Sequence, residues 1–362
     1  MRILALVSDA YGGHGGISVF NRSFLSAIAE MDDVEFVKGL PRLIEKHEVL
    51  PQKLIQETTA AQGIGAYSRE LLRTMSKSKF DLVICGHINL LPFASLAKRR
   101  FRCPLALNVH GIDVLEAKHR FGLHYLARRV DALISVSRLT LDRFQEWAPL
   151  KKGKSFILPN CIDLDRFKPG PKSEILLKRY DLHNKLVLMT LGRLAGRNRE
   201  KGFDEVLEVL PELLKPLPDL IYMIAGDGPD RQRLETKAKS LGITDHVIFT
   251  GRIGEDEKID HYRLADLYVM PSMGEGFGIV ILEALACGIP VIGSTKDGTR
   301  EALVDGELGK LVDPGNQQEL AQCIMDRLTE NYSGMPPQGL ESFSSTAFKQ
   351  RTQQIIGQAV NA

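Results

Sequence analysis

Two acids stand eight positions apart in the stretch EGFGIVILEALACGIP: Glu275 and Glu283. Between them come Gly276, Phe277 and Gly278, then an apolar series that opens at Ile279. Glycines just before a helical pattern let backbone N–H groups come close to a ligand. A helix starting near Ile279 aims its unpaired N–H groups and its positive dipole end at an anion. Glu283 then lies about one turn inside that helix, beside the same anion, and Glu275 lies in the loop before it. A phosphate flanked by two acceptor carboxylates suits a ligand with hydroxyls on both sides of a diphosphate. A nucleotide-sugar is such a ligand, with ribose on one side and a hexose on the other.

Six further stretches, the last overlapping the first-named one, carry residue types that fit the same ligand. GGHGGISVF (12–20) follows an apolar run and precedes a helical pattern, so Gly15 and Gly16 sit where N–H groups are exposed. Counted from Gly13, the dinucleotide fingerprint fails, because Ser18 stands where its third glycine belongs. NVHGIDV (108–114) puts His110 before Gly111 at the end of another apolar run, with Asp113 as the nearest carboxylate. LGRLAGRNREKGFD (191–204) offers Arg193 and Lys201 as cations. Negative charge grows on a nucleoside diphosphate as it leaves, and fixed cations stabilise that transition state more than the ground state. AGDGPD (225–230) supplies Gly228, TGRI (250–253) supplies Arg252 and Ile253, and MPSMGEGFG (270–278) adds Ser272.

These stretches, in this order, resemble glycosyltransferase family 4. EGFGIVILE matches its paired-glutamate element, LGRL with EKGFD its cation element, AGDGPD its glycine element, and PNCIDLDRF its linker. The resemblance implies the GT-B architecture: an α/β fold of two Rossmann-like, doubly wound domains facing a cleft. It implies a retaining transfer of a hexosyl unit from a nucleoside-diphosphate sugar to an acceptor hydroxyl, in polysaccharide or glycolipid synthesis. It also implies roles. His110 and Glu275 meet the donor sugar, Arg193 and Lys201 grip the diphosphate, and Glu283 meets the ribose. Gly15, Gly16, Gly228, Ser272, Gly276, Phe277, Gly278 and Ile279 line the phosphates and sugar, and Arg252 and Ile253 line the base. Lys201 follows Arg193 at a longer interval than is usual in the family, with Arg197 and Arg199 filling the extra length. The donor is a substrate, and neither a cofactor nor a metal is implied. Asp163 and Asp165 match a metal-binding D-x-D literally, but they fall in the linker pattern. Two rivals are a nucleotide-sugar epimerase on the same scaffold and an NAD-dependent Rossmann oxidoreductase. The broken fingerprint counts against the second.

The elements needed to position these residues are legible as well. Short apolar runs alternate with helical patterns, the βαβ signature of a parallel sheet. Expected strands are 3–8, 80–86, 105–111, 132–137 and 154–160, then 185–194, 220–228, 246–253, 266–272, 290–295 and 309–314. Expected helices include 19–31 and 115–129. The Pro- and Gly-containing stretch 159–172 reads as the hinge. The expected domains are 1–165 for the acceptor and 166–342 for the donor, with the helical tail 343–362 packed back on the first.

Composition sets outer bounds. The chain has 362 residues, 44% apolar and 25% charged, which is globular and large enough for two domains. The net charge of +2 does not indicate nucleic acid as a partner. The charge is uneven: residues 1–165 carry +6 and the remainder −4. A basic first half favours an anionic acceptor or an anionic membrane surface. The expected partners are therefore the nucleotide-sugar, a sugar or lipid-linked sugar acceptor, and a membrane met peripherally. Five scattered cysteines without C-x-x-C suit reduced thiols, and MRILALVSDA reads as a first strand and not a signal peptide. The expected location is the cytoplasm, including the cytoplasmic face of a membrane.

Overall fold

The computed structural model describes residues 1–46, 48–111, 114, 122–196, 201–330 and 332–360. Asp113, Arg197 and Arg199 lie outside the described residues. Two compact units are present. The first is Met1–Cys161 with Ser345–Ala362, and the second is Ile162–Ser344.

The sheet of the first unit contains β1 (Arg2–Val7), β2 (Phe36–Pro41), β3 (Leu54–Gln56), β4 (Leu82–Cys85), β5 (Leu105–Val109), β6 (Ala132–Ser135) and β7 (Lys154–Ile157). Its order is β3-β2-β1-β4-β5-β6-β7, with every pair parallel. RILALV, LVIC and LALNV are nearly continuous apolar runs because both faces of these strands are covered by helices. β2 and β3 were not among the expected strands. FVKGLP carries Gly and Pro, and β3 is three residues long with Ile55 exposed, so neither has the usual pattern. Of the expected helix at 115–129, residues 115–121 lie outside the described residues, and Leu123–Ala127 is helical.

Helix Gly16–Ala29 follows β1, and the final helix, Ser345–Val360, lies against it. Phe348 meets Phe20 edge-on at 5.6 Å, and Gln353 donates to the Ala27 carbonyl at 3.2 Å. Phe20, Phe24 and Phe348 are all buried there. Burying each such ring is worth about 1.5–3 kcal/mol, which fixes the C-terminal helix to this unit.

In the second unit β8 (Leu186–Leu191), β9 (Leu220–Ala225), β10 (Val247–Gly251), β11 (Leu267–Val269), β12 (Val291–Ser294) and β13 (Lys310–Val312) form an all-parallel sheet in the order β10-β9-β8-β11-β12-β13. This repeats the doubly wound order of the first unit, with strand order reversing between β8 and β11 as it does between β1 and β4. In open sheets of this kind ligands bind beyond the carboxyl ends of the strands at that switch point. An ion network joins two covering helices, Phe203–Leu213 and Arg231–Ser240. Arg233 donates to both Asp204 oxygens at 2.7 and 2.6 Å, and Lys237 reaches Asp204 at 2.6 Å.

Candidate active site

In the second unit the switch-point loops converge on Glu275. Helix Ile279–Ala286 starts where the glycines predict, with Gly278 as its N-cap at φ 95°. That is a conformation that side-chained residues rarely take. Beside the helix start, Gly298 is packed so closely that a Cβ there would lie 2.1 Å from the Gly276 carbonyl oxygen. Asp297 locks the loop from the same side. One of its oxygens accepts the Glu275 N–H at 2.9 Å, and the other accepts the Thr299 hydroxyl at 2.7 Å. Burial pushes the Asp297 carboxyl above its ordinary range. Phe277, buried, stacks edge-on against Phe343 at 5.7 Å and anchors the loop. Ser272 is fully buried under this loop, close to Asp297.

Glu275 forms an ion pair with Lys201. Burial alone would raise its carboxyl, but the Lys201 ammonium and the N–H groups of Gly276 and Phe277 outweigh burial and hold it below the ordinary value. The stem of Lys201 runs close to Gly192, where a Cβ would sit 3.5 Å from its Cδ. Gly202, at φ 80°, caps the next helix against Pro271. Arg193 is exposed next to Gly192, and its guanidinium makes no ion pair with any described residue. The structure thus brings Lys201, Glu275 and the start of helix Ile279–Ala286 together, with Arg193 at the end of β8.

Glu283 sits one turn into its helix and is 3% exposed. One oxygen accepts from Lys258 Nζ at 2.7 Å and the other from the Tyr262 hydroxyl at 2.6 Å. Tyr262 is fully buried, and burial with the Glu283 charge pushes its hydroxyl far above the ordinary tyrosine range, so it remains a donor. Lys258, Tyr262 and Asp297 were not singled out from sequence. Their partners lie more than twenty positions away, and no local pattern announces such pairs. Gly226 and Gly228, at φ 140° and 159°, pass so near β8 that a Cβ would come within 2.0 Å of the Gly192 oxygen and 2.2 Å of the Leu194 oxygen. Gly228 thus lies against the Leu194 carbonyl, where a side chain would not fit. Arg252 is exposed and Ile253 half-buried just after β10.

In the first unit, Gly15 (φ 91°) caps helix Gly16–Ala29, and Gly15 and Gly16 are exposed. No atom lies within 4 Å of where a Gly15 Cβ would be, so the backbone there is open to close approach on that side. His110 follows β5. Its Nε2 lies 3.1 Å from the Gly86 carbonyl, and its ring meets Phe20 edge-on at 5.0 Å. These contacts fix the imidazole at the carboxyl end of the sheet, near the switch point. Asp163 is used locally, with one oxygen accepting the N–H groups of Asp165 and Arg166 at 3.0 and 3.1 Å. Among the described residues no group of three or more His, Cys, Asp or Glu could hold a metal, and all five cysteines are free thiols.

Two doubly wound units in one chain, with glycine-capped helix starts at their switch points, define the GT-B class of sugar transferases. Residues 14–166 match the family model described as Glycosyltransferase Family 4, and residues 175–340 match the model for glycosyl transferases group 1. A GDP-mannose-dependent alpha-(1-6)-phosphatidylinositol monomannoside mannosyltransferase of Mycolicibacterium smegmatis is 33% identical over 346 residues, covering 91% of this chain and 89% of that one. HepE of Anabaena, in complex with UDP, superposes with a TM-score of 0.75 at 20% identity, covering 99% of this chain and all of the other. Sucrose-phosphate synthase of Thermosynechococcus elongatus gives the same TM-score at 18% identity, with 99% of each chain covered. The chain belongs to glycosyltransferase family 4 and is a hexosyltransferase.

Proposed function

We propose that the protein moves a hexosyl unit, with retention of anomeric configuration, from a nucleoside-diphosphate sugar to a hydroxyl of a glycolipid-type acceptor. The observation that carries this reading is the Lys201–Glu275 pair at the N-terminus of helix Ile279–Ala286, with Glu283 one turn inside. In the bound state the donor diphosphate takes the place of Glu275 as partner of Lys201. The helix start and the Arg193 guanidinium complete the positive surround. Released from the ammonium, Glu275 accepts from hexose hydroxyls. Glu283 accepts from the ribose, since a carboxylate has about four lone-pair sites and keeps capacity beyond Lys258 and Tyr262.

As the glycosidic bond breaks, charge grows on the leaving phosphate. Lys201 and Arg193 stabilise it without reorganising, and the phosphate oxygen helps take the acceptor proton on the same face. His110 contributes a contact to the donor sugar, and Gly15 and Gly16 offer N–H groups to the diphosphate. No metal is needed in this scheme, because cations and a helix end already supply the positive charge.

GDP-mannose is the first donor to test, and an inositol- or mannose-headed lipid the first acceptor. The support is the 33% identity across 91% of the chain with a mannosyltransferase whose name states that chemistry. The deciding experiment incubates the protein with GDP-mannose, UDP-glucose or ADP-glucose and a phosphatidylinositol mannoside, and reads nucleotide release and product anomer by NMR. An α-linked mannoside formed from GDP-mannose is expected. A β-linked product would refute retention, and transfer from another donor alone would refute the guanosine assignment.

A further inference from the structure

In the first unit the ends of three adjacent strands carry titratable groups. β1, β4 and β5 are neighbours in the sheet, and their carboxyl ends lead into Asp9, His87 and His110. The register pairs Leu6 with Cys85, and the Gly86 N–H donates to the Leu6 carbonyl at 2.7 Å, so β1 and β4 leave the sheet side by side. This is the switch point of the sheet, where ligands of open α/β sheets bind. His110 already has a role at the donor sugar. Asp9 and His87 have none.

Asp9 is half-buried, and no structural duty accounts for it. Its Oδ1 accepts the Ser8 hydroxyl at 2.9 Å. Among the described residues its carboxylate makes no other hydrogen bond and no ion pair. The charge of Arg22 reaches it, but that guanidinium turns to the Gly13 carbonyl at 3.4 Å and to Glu48 at 3.6 Å. Helix Gly16–Ala29 has no side-chain cap, so Asp9 does not close its start. Gly13 packs against the carboxylate, where a Cβ would lie 2.5 Å from Oδ2, yet the Gly13 N–H goes to the Ala10 carbonyl. Asn21 holds the backbone below, donating to the Asp9 carbonyl at 2.9 Å. Burial pushes the carboxyl above its ordinary range, against the pull of the Ser8 hydroxyl and the His87 ring. A carboxylate kept half-buried without a cation costs stability, and such groups concentrate at functional sites. It has about four lone-pair sites, of which the Ser8 hydroxyl takes one. The His87 ring stands at the β4 end of the same edge. Its Nδ1 accepts the Asn89 N–H at 3.1 Å, which leaves the proton of the neutral imidazole on Nε2.

We propose that Asp9 seats a ring hydroxyl of the acceptor, with His87 flanking the same polyol ring. The inference rests on the proposed transfer to a sugar- or inositol-headed acceptor and on the first unit as the acceptor side. An accepting carboxylate beside a donating imidazole suits neighbouring hydroxyls of a hexose or an inositol, because each hydroxyl both donates and accepts. The donor diphosphate does not suit Asp9, since two anions repel. Nor does a metal ion, since among the described residues no group of three or more His, Cys, Asp or Glu could hold one.

The test titrates the full chain, with and without GDP, with methyl α-mannoside and with myo-inositol, and reads binding by ligand NMR. At least one polyol should bind the parent. Asp9→Ala should weaken that binding at least about tenfold, as loss of a hydrogen bond to a charged group does, and leave GDP affinity within about twofold. Asp9→Asn keeps the shape and the Ser8 contact. It should weaken the polyol by a smaller factor and unfold at a temperature no lower than the parent, because it removes a half-buried charge. A structural carboxylate would show the reverse, with a lower unfolding temperature and unchanged polyol binding. Equal polyol binding by the parent and both variants would overturn the proposal. So would binding of neither polyol to the parent, or a loss of GDP affinity as large as that of the polyol. Failure of the parent to bind GDP would count instead against the donor reading, because the titration without GDP reads the acceptor seat separately.

Discussion

At the scale of single residues, both glutamates of the candidate site are already paired. Lys201 holds Glu275, and Lys258 and Tyr262 hold Glu283. Preorganisation of this kind lets binding and transition-state stabilisation be separated by mutation. Lys201→Ala should lower kcat by about 10²–10³-fold, as loss of a charge-stabilising group does elsewhere, while donor affinity falls much less. A matched loss in both would show that Lys201 acts in ground-state binding. Tyr262→Phe removes one hydroxyl that orients Glu283. It should weaken donor binding by roughly 0.5–1.5 kcal/mol, and the loss should shrink when the donor nucleotide lacks its 2′-hydroxyl. An equal loss with ribose and deoxyribose would mean that Tyr262 only fills space. Glu275 and Glu283 are readable from spacing alone, because both flank one helix start. Lys258, Tyr262 and Asp297 are not, since the fold and not the local pattern brings them near.

At the scale of elements, most of the architecture is written in apolar runs. LVLMTL and LIYMIA cannot be half-exposed strands, and their length between turn signals makes them buried parallel ones. β2 and β3 escaped because a Gly–Pro-bearing strand and a three-residue strand show neither period. The glycine before Ile279 is legible as a cap, but the second glycine that matters, Gly298, is not. Its φ is ordinary, at −66°, and its role is only to let the 275–278 loop approach. Gly298→Ala should therefore cost about 1–3 kcal/mol of stability through overpacking and weaken donor binding with it. A variant as stable and as tight as the parent would show that the loop relaxes freely.

The ion network between helices Phe203–Leu213 and Arg231–Ser240 offers a pH test. Burial opposes the charged form of Asp204, but hydrogen bonds from Arg233 and Lys237 outweigh it and lower the carboxyl from 3.8 to about 2. The folded state thus binds this proton less readily than the unfolded chain. The stabilisation is present in full above 3.8 and is lost as pH falls toward about 2. The stability gap between parent and Asp204→Asn should be constant near neutrality and close across that window. A gap that persists at the acid end would show that the pair contributes through packing.

At the scale of the whole molecule, two units repeat one doubly wound order, and each places a glycine-capped helix start at its switch point. The charge asymmetry of the chain, +6 in residues 1–165 against −4 in the rest, becomes specific in the structure. Part of it is concentrated on two adjacent helices of the first unit, Ile64–Lys77 and Leu91–Phe101. On the proposed scheme activity should survive a chelator, because side chains and a helix end would supply the positive charge at the diphosphate. Complete loss with rescue by Mn²⁺ would return the metal role to Asp163 and Asp165.

The measurement that bears most directly on the account is a calorimetric titration with GDP and with guanosine, in the parent and in Arg193→Ala with Lys201→Ala. The diphosphate should tighten binding to the parent by at least about a hundredfold, or about 2.8 kcal/mol, and most of that advantage should vanish in the double variant. Equal binding of GDP and guanosine to the parent, or an undiminished advantage in the variant, would contradict a site built to receive a leaving diphosphate.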